Sequence, residues 1–178
     1  MPWLESKLRL DCGDAAGRLE FPELLAELAG RVRFERSAEA LLGLQPLADR
    51  EAIEARRRRV VDWIRLAEQG EEPDLTGLID LGEGLERCRR EGESLSGEDL
   101  HLLSLCLFAL SRFGAFLVER REQAPALMAD WGNPPDLAGL AAEIERCVDE
   151  EGELRDAASP ALGRIRRQIR ETRGRVRS

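Results

Sequence analysis

Residues 137–178 read LAGLAAEIERCVDEEGELRDAASPALGRIRRQIRETRGRVRS, and this stretch decides the fold. Leu137, Leu140, Ala141, Ile144 and Val148 recur at the spacing of one helix face, and Gly152 stops that helix. Ser159 followed by Pro160 predicts an N-cap with proline at the first helical position. Beyond it Leu162, Ile165, Ile169, Thr172 and Val176 step by 3, 4, 3 and 4, the narrow a/d seam of a coiled coil rather than a broad core face. An isolated amphipathic helix of this length is marginal in water. The seam is therefore expected to pair with a strand beyond residue 178 or on another chain.

The rest of the chain is helical by the same test. Phe21, Leu24, Leu25, Leu28 and Val32 share a face, with Pro22 suited to the first turn. A short helix is expected to follow Ser37 as N-cap and to end near Gly43. Asp49 caps the next, whose buried stripe would be Ile53, Val60, Val61, Ile64 and Ala67, with Gly70 as its stop. Residues 70–82 read as a connection, followed by a short helix carrying Leu81, Leu85 and Cys88 and ending at Gly92. Ser96 and Asp99 form a capping box, with Asp in place of Glu, that opens a long helix over about residues 97–121. That helix is apolar nearly all round, as in the centre of a bundle. Residues 123–136, with three prolines and a glycine, read as a loop. No strand, repeat or low-complexity segment is legible. The fold class is all-α, an irregular helical bundle with a projecting C-terminal helix.

The net charge of −8 on 178 residues hides an asymmetry. Residues 161–178 hold seven arginines and one acid, Glu171, for a local +6, which leaves −14 on residues 1–160. Arg166, Arg170, Arg173 and Arg177 fall on one side of the last helix, flanked by Arg164 and Arg167. These six are the candidate nucleic-acid contacts, since such a stripe can track phosphates. The run Arg56–Arg59 points around the whole helix circumference and reads as a solvated face paired to Glu51, Glu54 and Asp62, with phosphate binding as the lesser reading.

Catalytic constellations are excluded by inventory. His101 is the single histidine, so no two-histidine metal site can form, and it sits inside the apolar run 100–110, where a core-edge role fits better than catalysis. That run is too short to span a bilayer. No nucleotide-phosphate loop motif occurs. Asp149, Glu150, Glu151, Glu153 and Asp156 have the oxygens for Mg²⁺ but read as solvated loop acids. Cys12, Cys88, Cys106 and Cys147 are scattered, and no secretory signal is visible, so reduced thiols in a cytoplasmic, non-membrane protein are expected.

Two segments carry a resemblance. Leu19-Glu20-Phe21, Leu44-Gln45-Pro46 and the Gly-x-x-Pro-Asp-Leu run from Gly70 to Leu75 resemble the start of MutS-II, the second bacterial MutS paralogue. More specifically, residues 144–167 are similar to that family's I-x-x-x-[IV]-D-x-x-G-x-[IV]-x-D-x-A-S-x-x-L-x-x-I-R segment. The resemblance covers about residues 19–178 and leaves 1–18 as an unmatched N-terminal extension. It implies a MutS core-like helical domain over 19–158 and the start of an antiparallel coiled-coil lever over 159–178. The clamp, the ATPase that uses ATP and Mg, and the small MutS-related nuclease domain would lie outside this chain. This region would then hold no catalytic residue, cofactor or metal and would transmit ATP-driven motion to a nucleic-acid clamp. The partners implied are the rest of such a chain, DNA or the ribosome, in recombination control or ribosome rescue, with homodimerisation through the ATPase region. A stand-alone helical adaptor that uses the seam to bind a partner helix is the alternative.

Overall fold

A computed structural model describes residue 17, residues 19–133 and residues 137–177, with the side chain of Arg177 outside that description. Eight α-helices occur among these residues: α1 (Phe21–Ala29), α2 (Glu35–Leu42), α3 (Arg50–Glu68), α4 (Gly82–Cys88), α5 (Gly97–Glu119), α6 (Pro125–Trp131), α7 (Leu137–Cys147) and α8 (Pro160–Arg177). A 3₁₀ turn at Asp156–Ala158 precedes α8, and an isolated antiparallel bridge joins Val148 to Leu154. The all-α class read from periodicity holds. The described residues divide into two compact units: one takes those up to Glu72 with Arg120–Asp130, the other Pro73–Glu119 with those from Trp131 onward.

In the first unit α1 packs on α2 and buries Leu25. Helix α2 starts three residues earlier than a Ser37 cap implies, because the Phe34 carbonyl already accepts from the amides of Ser37 and Ala38 (both 3.0 Å). Asp49 caps α3 as expected, accepting from Ala52 N at 2.9 Å. The α3 helix ends at Glu68 ahead of Gly70, whose φ of +73° lets Glu71 N reach back to the Leu66 carbonyl (2.9 Å).

The buried face of α3 differs from the expected stripe. Ile53, Val60 and Ile64 are 45%, 53% and 52% exposed, whereas Asp62 and Leu66 are buried. The reason lies in residues 123–136, which are not all loop: Pro125 opens α6, and that helix lacks a cap of its own. Asp62 Oδ2 supplies one across the unit, accepting from Ala126 N (2.8 Å) and Leu127 N (3.4 Å). Arg65 Nη1 donates to the Gln123 carbonyl (2.6 Å), Arg59 Nε pairs with Asp130 (2.7 Å), and Arg120 pairs with Glu71. Satisfying these polar groups turns residues 62 and 66 inward, at the expense of the apolar stripe. Asp62→Ala leaves two helix-terminal amides without their acceptor and is expected to cost about 1–2 kcal/mol in urea unfolding, with Asp62→Asn recovering most of it.

In the second unit α5 is the central element, with Ser104, Cys106, Leu107, Ala109, Gly114 and Leu117 buried. Its capping box forms as read: Ser96 Oγ accepts from Asp99 N (3.1 Å), Asp99 Oδ2 accepts from Ser96 N (3.1 Å), and Arg87 adds a 2.6 Å pair to the same oxygen. Connection 73–81 lies along α5, with Arg112 donating to the Thr76 carbonyl and pairing with Asp74 (3.3 Å). Trp131, the last residue of α6, meets Phe113 edge-on at 5.0 Å and closes over Gly114, where a Cβ would lie 2.9 Å from the indole nitrogen. At 23 residues, with an 18-residue stretch of mean hydropathy 1.8, α5 is long and apolar enough to cross a membrane, which the shorter run 100–110 did not indicate. Its buried positions and its packing on α7 give the same pattern the role of a core helix.

Candidate functional site: the root of the C-terminal helix

Residues 144–167, which carry the family resemblance, build a fixed root for α8. Helix α7 ends at Cys147, and buried Val148 leads into a turn. Asp149 organises that turn: its Oδ1 accepts from Glu153 N (2.7 Å), its own amide donates to the Glu153 carbonyl (3.0 Å), and its carbonyl accepts from Gly152 N (3.1 Å). Arg155 closes it, donating from its amide to the Cys147 carbonyl (2.8 Å) and from Nε to the Val148 carbonyl (2.9 Å).

Gly152 is required on two counts. Its φ is +79°, and a Cβ there would lie 2.5 Å from Glu98 N. Reciprocally, a Cβ on Gly97 would come within 1.8 Å of the Gly152 carbonyl oxygen. The turn is therefore pressed against the start of α5 through two glycines.

The first turns of α8 are tied to this platform. Ser159 Oγ accepts from Leu162 N at 3.1 Å, the expected cap. Arg146 donates to the Ala157 carbonyl. Gly163 faces the Asp156 carbonyl, where a Cβ would sit 3.0 Å away. Asp156 receives two arginines one helical turn apart, Arg166 at 3.1 Å and Arg170 at 3.2 Å, while Arg166 also donates to the Leu154 carbonyl (2.6 Å). Hydrogen bonds first from Arg166 and then from Arg170 hold the Asp156 carboxyl below its ordinary range. A depressed acid contributes stability above its unfolded value, near 3.8, and loses it as pH falls through the folded value. The root is accordingly expected to loosen below about pH 4 and to be insensitive between pH 5 and 8. In Asp156→Asn that acid-range step in α8 amide exchange should disappear.

The candidate residues thus separate into two groups. Arg166 and Arg170 of the proposed phosphate stripe are engaged by Asp156, whereas Arg164, Arg167 and Arg173 are exposed on α8. The Arg177 side chain lies outside the described residues. Along the seam Leu162 is half-buried at the root, Ile165, Ile169 and Thr172 are exposed, and Val176 reaches 81% exposure. Sequence reasoning assigned Asp156 to a loop cluster and missed its role. An acid just before a capped helix, followed by arginines at i+10 and i+14 on one face, was the available signal. Asp149 is likewise engaged within its turn, and among the described residues no group of three or more His, Cys, Asp or Glu is placed to hold a metal ion.

Comparison with known proteins gives a consistent answer. No family model matches the chain, and no solved structure matches it. Among curated proteins it is 37% identical over 171 residues to "Endonuclease MutS2" of Gemmatimonas aurantiaca, covering 91% of this chain and 20% of that protein. It is 34% identical over 159 residues to "Endonuclease MutS2" of Symbiobacterium thermophilum and 30% identical over 165 residues to "Putative endonuclease MutS2" of Bacillus subtilis, covering 89% of this chain and 20% of each relative. The chain spans about a fifth of the length of the curated relatives it matches. At 30–37% identity over about nine-tenths of its length, this chain belongs to the MutS2 family and spans one fifth of its relatives' length.

Proposed function

We propose that this chain is the non-catalytic core and lever base of a MutS2-type protein in the cytoplasm. It would couple nucleotide-driven motion in other parts of such a protein to its grip on nucleic acid. The observation that carries this reading is the root of α8. A helix fixed at one end by Asp156, Ser159 and the Gly97–Gly152 contact, with an apolar seam left exposed beyond it, is the element a lever needs. Motion applied to the root is transmitted only if the root does not yield, and the seam provides the face for a returning helix.

The test uses a MutS2 protein carrying this segment. Asp156→Ala is expected to keep basal ATP hydrolysis and to weaken the nucleotide-dependent change in DNA or ribosome binding. An unchanged nucleotide response contradicts the reading. The 178-residue chain alone is expected to neither cleave plasmid DNA nor hydrolyse ATP with Mg²⁺ present, and either activity would contradict the non-catalytic assignment.

The exposed seam also supports a second reading, a helical adaptor that pairs α8 with another helix or with itself. Sedimentation over a concentration series separates the two. The adaptor reading expects reversible dimers that Ile169→Asp abolishes.

A further inference from the structure

A groove of about 510 Å³ runs between α3 and α6 within the first unit, lined by Arg57, Arg58, Arg65, Pro125, Ala126 and Ala129. Two carboxylates border it, and both are engaged. Asp62, with its side chain 5% exposed, faces the amides of Ala126 and Leu127. Glu54 is shared, meeting Arg57 at 2.6 Å and Arg58 at 3.8 Å. Three guanidinium groups therefore face the groove against one accessible acid.

Their donors are not exhausted. Arg65 is held in place through Nη1 alone, to the Gln123 carbonyl (2.6 Å) and Asp62 (3.5 Å), so Nε and Nη2 carry neither bond. Arg57 uses Nε and Nη2 on Glu54, which leaves Nη1 outside that pair. Arg58 reaches Glu54 only through Nε, and its side chain is 68% exposed.

The spacing suits a repeating anion. Arg57 and Arg58 precede Arg65 by seven to eight residues, about 10.5–12 Å along the helix axis at ~1.5 Å per residue. Phosphates of one nucleic-acid strand advance ~3.4 Å each along the axis, so about three intervals match that separation. Planar guanidinium forks pair in bidentate fashion with phosphate oxygens, which a point charge cannot do. We propose that this groove binds the phosphodiester backbone of nucleic acid, as a contact independent of the α8 arginines.

The test is fluorescence anisotropy of the full chain with a labelled 20-base-pair duplex between 50 and 200 mM salt. In Arg57→Ala/Arg58→Ala, two lost phosphate contacts at ~0.9 each should make the log–log salt slope shallower by about 1.8, so that the wild type loses about tenfold more affinity over that range than the variant. Glu54→Gln removes the competing acid and is expected to raise affinity. This gain cannot come from misfolding, and it carries the test alone if the arginine pair fails to fold. The proposal is overturned by absence of binding at 50 mM salt or by an unchanged slope in the arginine pair. It is equally overturned by unchanged or lower affinity in Glu54→Gln, by loss of binding only when Arg164, Arg167 and Arg173 are replaced, or by poly-glutamate binding in preference to the duplex.

Discussion

Gly152→Ala is expected to destabilise the second unit by about 2–5 kcal/mol, from two separable causes. Holding a residue with a Cβ in the left-handed region costs about 1–2 kcal/mol. The Cβ would also lie 2.5 Å from Glu98 N and 3.0 Å from the Gly97 carbonyl carbon, both backbone atoms that cannot swing aside. Overpacking of that kind costs a further 1–3 kcal/mol or so. Gly132→Ala isolates the first cause, since Gly132 has a φ of +68° with open space around it. Chemical denaturation of the two variants should therefore give clearly unequal losses. Equal losses would mean that the turn does not press on α5.

Leu66→Ala is expected to cost about 2–5 kcal/mol, because Leu66 is 0% exposed and truncation removes buried methyl groups and leaves a cavity. The informative control is Ile64→Ala, two residues earlier and 52% exposed, where less than about 1 kcal/mol is expected. The pair decides which face of α3 is inside. Periodicity alone chose Ile64, whereas the structure chose Leu66, so a larger loss at Ile64 would restore the sequence reading.

That difference shows where local information ends. Asp49, the Ser96/Asp99 box and Ser159 were legible because a cap and its amides lie three residues apart. The role of Asp62 was not legible, since its partners lie 64 and 65 residues away and exist only once Pro125 has opened a helix. Apolar spacing assigned Ile53, Val60 and Ile64 inward, but a buried carboxylate must be satisfied, and that requirement set the rotation of α3. The loop reading of 123–136 failed for the same reason, its helix having no cap of its own.

The root of α8 was legible in part. Its cap, its seam and its glycine turn came from spacing, and the motif over 144–167 pointed to the family that comparison then showed. The physical work of that motif appears only in the fold. Asp149 builds the turn, Gly152 admits the start of α5, and Asp156 gathers Arg166 and Arg170. The net charge is sharpened by the same contacts. Part of the +6 on residues 161–178 serves to fasten the helix rather than to meet phosphate.

The most direct test of the lever-base account is amide hydrogen exchange along α8 in the intact chain. Exchange resolves local opening free energies, which rise where packing and hydrogen bonds fix the backbone. A fixed root with an exposed seam predicts strong protection over residues 163–166, falling by on the order of 100-fold toward residues 173–176, a difference of about 3 kcal/mol in opening. Uniform protection along the whole helix, or a root that exchanges as fast as the far end, would contradict it.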